Sequence, residues 1–183
     1  MAFDANNKAS HPVRVVDYDP RWPQLYAEEE KRLRAAIGRH LLALEHAGST
    51  SVPGLAAKPT IDILAGVRSL DEAQACIAPL EALGYEYNPE FEDTMPERRY
   101  FRLMKDEEHL VHIHMVEITS EFWRTHLLFR DYLRAHPETA RAYGELKRAL
   151  AQQYGPDRDG YTDAKADFIQ GVIAAAAEWQ RDS

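Results

Sequence analysis

The chain reads as a mixed α/β (α+β) fold with flanking helices and a helical C-terminal cap. Three observations predict it. Two short apolar runs, Leu41 to Leu44 and Ile61 to Val67, bracket a stretch of Gly, Ser, Pro and Ala, which is the pattern of strand, loop, strand. The segments RRYFRLMK and LVHIHMVE alternate with a period of two, the pattern of half-buried strands. From Thr119 onward apolar residues return at helical spacing. With 183 residues, 45% hydrophobic and 28% charged, the chain has enough apolar surface for a substantial core. The expected organisation is a polar tail over 1–12, an α/β core over 13–118 and a helical cap over 119–183 belonging to the same compact unit.

Each element has a local cause. After the tail, a short apolar stretch leads into a helix with Asp19 as cap, Pro20 in the first turn and Gly38 past the end. Trp22, Leu25, Tyr26, Leu33, Ala36 and Ile37 keep the helical period, while Glu28, Glu29, Lys31, Arg32 and Arg34 form a solvated face. Between Ile61 and Val67 the strand is nearly all apolar. Ser69-Leu-Asp-Glu72 has the form of a capping box, and its helix runs through Ala73, Ile77 and Leu80 to a stop at Gly84. The DEEH segment is short enough to make the two alternating strands an antiparallel hairpin, with Val111, Ile113 and Met115 on one face and His112 and His114 on the other. The cap divides at His136-Pro137, its second helix ends at Gly155, GPDRDG is a turn, and Thr162 caps a last helix.

Composition excludes several functions. The balance of 22 Lys+Arg against 30 Asp+Glu gives a net charge of −8, which disfavours a long nucleic acid or an anionic membrane as partner. A single cysteine, Cys76, makes no intramolecular disulfide and sits between Ala73, Ile77 and Leu80 as a buried small hydrophobe would. No run approaches about 18 uninterrupted apolar residues, and the first dozen residues carry no apolar segment, so the expected location is cytoplasmic.

The densest chemistry lies between Glu45 and Asp62. Gly48-Ser49 directly after a strand presents backbone N–H groups, and Ser49, Thr50 and Ser51 add hydroxyls; phosphate could sit there, although the same string also describes an ordinary turn. Asp62 alternates to the face opposite Ile61 and Ile63, where a carboxylate suits a divalent cation, and Lys58 on the approach is a charge partner. His112 and His114, two apart on a strand, share one face as metal ligands or phosphate contacts would, or else form a solvated polar face. Arg98, Arg99 and Arg102 on the neighbouring strand could supply positive field or pair with Glu90, Glu92, Asp93 and Glu97. His46 could orient a ligand or be structural, and Arg130 with Asp131 reads as a structural ion pair.

The string EHAGSTSVPGLAAKPTIDILAGV, continued through RRYFRL, HLVHIHMV, FRDYLRAHPETARAYGELK and the Tyr161 to Lys165 segment, resembles the signature of the GrpB family, from about Val13 onward. That family is similar to the nucleotidyltransferase superfamily, with its polymerase-beta-like fold. The resemblance implies a nucleotidyltransferase-like mixed sheet with helices closing over a cleft. It also implies Gly-Ser after the first strand, Asp-x-Asp on the second and a third acidic residue on a later one. Gly48-Ser49 matches the first element and Asp62 the second aspartate; Thr60 stands at the first aspartate, and His112 and His114 lie on the strand of the third. Arg99, Lys147, Tyr161 and Lys165 match the family pattern too; Lys147, Tyr161 and Lys165 could reach phosphates across the cleft, or else be solvated lysines and a core tyrosine.

The expected function is accordingly that of a protein binding a nucleoside triphosphate through Gly48, Ser49, Thr50, Lys58, Arg99, Lys147 and Lys165. A divalent cation, Mg²⁺ or Mn²⁺, would be held at Asp62, His112 and His114, with Zn²⁺ as the softer choice that imidazole suits. Asp62 and His114 would carry catalysis, moving a nucleotidyl group to a small-molecule or protein acceptor. The alternatives are a non-catalytic nucleotide-sensing module, motivated by Thr60, and a mononuclear His/Asp metal enzyme.

Overall fold

The computed structural model describes residues 12–182. The polar tail expected over 1–12 lies, but for Pro12, outside the described residues. Helix α1 spans Trp22–Ile37, β1 Ala43–Ala47, β2 Ile61–Val67, α2 Ala73–Ala82 and β3 Tyr85–Tyr87. After these come β4 Arg98–Lys105, β5 Glu108–Glu117, α3 Glu121–Ala135, α4 Pro137–Tyr154, α5 Arg158–Asp163 and α6 Ala166–Asp182. The five strands form one mixed sheet in the order β1-β2-β5-β4-β3, in which only β2 and β5 run parallel. Among the described residues no helix is long and apolar enough to cross a membrane.

The two faces of the sheet divide the labour. Ile61, Ile63, Ala65, Phe101, Val111, Ile113 and Met115 point to one side and bury against Leu33 and Ile37 of α1 and Cys76 and Leu80 of α2. That is the alternation expected for the hairpin, and it makes Cys76 a core residue. On the opposite side Leu64 and Val116 pack under Trp123 of α3, while Asp62 is the partly exposed residue in an otherwise buried β2. A third cluster ties the loop after β1 to the C-terminal helices: Val52 and Leu55 pack with Leu133, Tyr143 and Val172. A Cβ on Gly144 of α4 would lie 3.5 Å from Ala56, so that helix rests directly on the loop.

Several element boundaries differ from expectation, each for a local reason. Asp19 does not cap α1. Its carboxylate accepts from the Arg21 backbone N–H at 2.9 Å, closing a turn through Pro20, and the helix begins two residues later with Pro23 in its first turn. The capping residue Ser69 serves the 3₁₀ turn Leu70–Glu72 ahead of α2, accepting from Asp71 N–H. The GPDRDG stretch is not only a turn: Asp157 accepts from Gly160 N–H at 3.0 Å and starts α5, which contains Thr162, so Thr162 does not cap α6. The first apolar run forms a strand shifted to Ala43–Ala47, bringing Glu45 and His46 into the sheet, and three-residue β3 is too short to show alternation.

Candidate functional site

A cavity of about 290 Å³ opens between the sheet and the C-terminal helices. Its floor is the loop after β1 together with Asp62 of β2 and His112 and His114 of β5. The parallel pairing of β2 with β5 sets Asp62 beside His112, and the antiparallel pairing of β1 sets Ala47 opposite Asp62, so the Gly48 turn lands against the carboxylate. Gly48 holds φ at +65°, and a Cβ there would collide with Asp62 Oδ2 and lie 2.9 Å from its Cγ. Only glycine allows this approach without strain.

His112 Nδ1 stands 3.2 Å from Asp62 Oδ1, and His114 Nε2 lies 3.6 Å from the same oxygen. One ligand atom from each of the three residues falls within 4.8 Å of the others, a donor set able to hold a divalent cation. Burial would raise the Asp62 carboxyl, but the contacts from His112 and His114 outweigh it and hold the group well below the usual carboxylate range. Burial brings His114 down to about 4 against the pull of Asp62, with Arg98 adding to the depression, so the ring is neutral near pH 7 as a metal ligand must be. Arg98 Nη1 donates to His114 Nδ1 at 3.1 Å while its guanidinium lies 4.9 Å from the Tyr100 ring centroid. His109 Nδ1 meets His112 Nε2 at 2.8 Å, and burial lowers His109 to about 4 as well.

The opposite wall is cationic. Lys147 is 3% exposed, its ammonium donates to Ser49 Oγ at 2.7 Å, and it sits 4.5 Å from the Tyr143 ring centroid. Burial, then the nearby charge of Lys165, lowers it to about 7, and Asp62 only partly offsets this. Lys165, 4.2 Å from the Tyr161 ring centroid, is lowered by burial and by Lys58 to about 8. Lys58 lines the same cavity from an exposed position. Three lysines thus converge on a space whose lining includes one carboxylate.

Gly48, Ser49, Lys58, Asp62, His112, His114, Lys147 and Lys165 are therefore brought together in one cavity. Thr50 lines it too, but its hydroxyl donates to the Thr60 carbonyl at 3.1 Å and takes His46 Nε2–H at 3.0 Å, so it braces the loop. His46, stacked on Tyr26, is accordingly structural. Arg99 is not brought in. It pairs in register with Met115, on the face away from the histidines, and its guanidinium meets Glu92 and the Pro96 carbonyl. Alternation gives the histidine face to Arg98, Tyr100 and Arg102 instead. Arg130 bridges Glu45, Asp131 and the His46 carbonyl, the structural ion pair expected. Thr60 donates to the His109 carbonyl at 3.0 Å, which leaves Asp62 as the carboxylate of the strand.

Sequence reasoning missed His126, Phe129 and Tyr143, which line the cavity from α3 and α4. His126 Nδ1–H donates to the Phe122 carbonyl at 2.8 Å, leaving Nε2 as its available nitrogen. On helices such residues share the pattern of core aromatics, and their convergence depends on how the helices cross the sheet.

A family model described as GrpB protein matches residues 12–175. The chain belongs to the GrpB family. It is 37% identical over 169 residues to YqkA of Bacillus subtilis, covering 92% of this chain and 48% of that protein. It is 31% identical to a dephospho-CoA kinase of Mycolicibacterium paratuberculosis, covering 93% of this chain and 47% of the kinase. This GrpB chain thus spans about half the length of both. A crystal structure of the conserved protein GrpB from Enterococcus faecalis matches with a TM-score of 0.82 at 36% identity, over 91% of this chain and 99% of that one.

Proposed function

We propose that this GrpB protein binds a nucleoside triphosphate together with a divalent cation and transfers the nucleotidyl group to a small-molecule or protein acceptor. The observation that carries the reading is the cavity that sets an Asp/His/His cation-type donor set against three converging lysines and a Gly-Ser loop. The donor set fits a cation: one charged oxygen and two imidazoles on a shared face, cradled by a glycine that lets the carboxylate approach. When bound there, a cation would neutralise phosphate charge and stabilise the leaving oxygen. Lys147, Lys165 and Lys58 hold the phosphate tail, and Phe129, Ile169 and Ile173 offer an apolar wall to the rest of the ligand. In the transfer, an acceptor oxygen bonds to the α-phosphorus as the bond to the β-phosphate oxygen breaks. His126 Nε2 takes the acceptor proton and pyrophosphate leaves along the lysines. The likeness of this family to the nucleotidyltransferase superfamily supports the same reading.

A second reading rests on Thr60. Its side chain brings no carboxylate and its hydroxyl is committed to the His109 carbonyl, so Asp62 has no carboxylate partner two residues before it, which favours binding and sensing of the nucleotide without transfer. Thermal shift with nucleoside triphosphates, each with Mg²⁺, Mn²⁺ or Zn²⁺, tests binding. Stabilisation that needs both partners is expected, and no shift with any pair would overturn both readings. Pyrophosphate release across an acceptor panel that includes dephospho-CoA then separates transfer from sensing. Release by wild type and its loss in Asp62→Ala supports transfer; equal rates remove Asp62 from the reaction.

A further inference from the structure

The β4–β5 hairpin is irregular next to the cation-type site. Leu103 stands opposite Val111 but Met104 stands opposite His109, so Leu110 is an extra residue on β5. In an unbroken ladder His109 would point with Val111 and Ile113 into the apolar core. The bulge turns it to the face of His112 and His114. Two contacts hold it there: Thr60 Oγ1 donates to its carbonyl at 3.0 Å, and its Nδ1 meets His112 Nε2 at 2.8 Å.

We propose that His109 is a positioning residue for the cation site, orienting His112 through a hydrogen bond whose direction reverses when a cation binds. The inference rests on the cation reading above. His112 Nδ1 stands 3.2 Å from Asp62 Oδ1; in the tautomer that places the proton on Nδ1 it donates to that oxygen, and Nε2 then accepts from His109 Nδ1–H. For Nδ1 to offer its lone pair to a cation, the His112 proton must reside on Nε2 and donate to His109 Nδ1. The His109 proton then resides on its own Nε2. The exchange moves one proton within each ring, so it is a change of tautomer of the pair. An ammonium or guanidinium at position 109 could only donate and a carboxylate could only accept; imidazole does both. Arg98 beside His114 shows the contrast, since it can only donate to His114 Nδ1.

The test uses the full chain labelled with ¹⁵N at histidine and titrated with Zn²⁺ at constant pH. Two-bond ¹H–¹⁵N spectra distinguish the two tautomers of each ring. Before Zn²⁺, His109 and His112 are both expected as Nδ1–H; at one equivalent both become Nε2–H in parallel. By competition against a chelating dye, His109→Ala should bind Zn²⁺ roughly 10–100-fold more weakly. His109→Asn, whose amide stands near the Nδ1 position and can donate or accept, should recover most of that loss. The inference is overturned if His112 changes tautomer while His109 does not, if His109→Ala binds Zn²⁺ as tightly as wild type, or if His109→Asn is as weak as His109→Ala. Failure of the cation site itself reads differently: wild type would bind no Zn²⁺, and its His112 and His114 signals would not move during the titration.

Discussion

Lys147 should make the folded protein less stable than it would be with an apolar side chain in its place, and the deficit should shrink as pH rises. Lys147 is 3% exposed and its pKa is brought from 10.5 to about 7, mostly by burial and then by Lys165. The unfolded chain keeps an ordinary lysine, so between about pH 7 and 10.5 it binds more protons than the folded chain, and stability climbs with pH through that window. The difference corresponds to roughly 4 kcal/mol of lost stability at pH 7 and roughly 2 kcal/mol at pH 9. Lys147→Met keeps the apolar stem and removes the charge. It also removes the bond to Ser49, worth about 1 kcal/mol. The net gain should be about 2–3 kcal/mol at pH 7, or about 5–10 °C in melting temperature for a chain of this size, falling to about 1 kcal/mol at pH 9. Urea and thermal denaturation of the full chain at both pH values measure it. The reasoning is refuted if Lys147→Met is less stable than wild type at pH 7, or if its gain is the same at pH 9.

The same lysine predicts a pH-dependent ligand affinity. Its protonated fraction drops from about one half at pH 7 to about 1% at pH 9, so Lys147 alone should weaken triphosphate binding measured by calorimetry by up to roughly 50-fold over that range, and Lys165, lowered to about 8, adds up to roughly tenfold. In Lys147→Arg the slope should flatten. Gly48→Ala should destabilise the fold by about 1–3 kcal/mol through its positive φ and lose Zn²⁺ affinity through the collision with Asp62. Gly54→Ala is the control, because Gly54 also has a positive φ, +79°, but a Cβ there meets nothing within 4 Å; equal Zn²⁺ affinity in the two variants would remove the collision from the account. Arg98→Leu should tighten Zn²⁺ binding by about tenfold, since it removes a cation and a donor that occupies His114 Nδ1. Weaker binding would show that Arg98 supports the site.

How much of the fold and site was legible in the sequence depends on whether a side chain's placement is local. The period of two was enough to set Asp62, His112 and His114 on one face and Ile61, Ile63, Val111, Ile113 and Met115 on the other, because β2 and β5 are regular there. The same period places Arg99 beside Met115 on the core side, so the motif match at Arg99 and the physical pattern disagree and the geometry follows the pattern. His109 was illegible for the converse reason: a bulge breaks the period, and no turn glycine marks it, since the hairpin turn is made by Asp106 and Glu107 at positive φ. Lys147 could be located on a helix but its burial could not, because that depends on α4 resting on the loop through Gly144.

The charges of the cavity also predict how the two proposed ligands, cation and triphosphate, should depend on one another. Asp62 is the acidic residue of the lining, and Lys58, Lys147 and Lys165 together carry more positive charge than it can balance. A divalent cation beside Asp62 would increase that excess, so a cation alone enters against the lysines. A polyanion alone enters with them but meets Asp62. Bound together, each relieves the repulsion that the other faces, and linkage requires the factor by which the cation tightens triphosphate binding to equal the factor by which triphosphate tightens cation binding. Calorimetry in both orders of addition measures the two factors independently. If the lysines and the Asp/His/His set act on one ligand pair, both factors exceed one and agree, and both fall towards one in Lys147→Met. Independent binding of cation and triphosphate in the wild-type protein would show that the two walls of the cavity do not share a ligand.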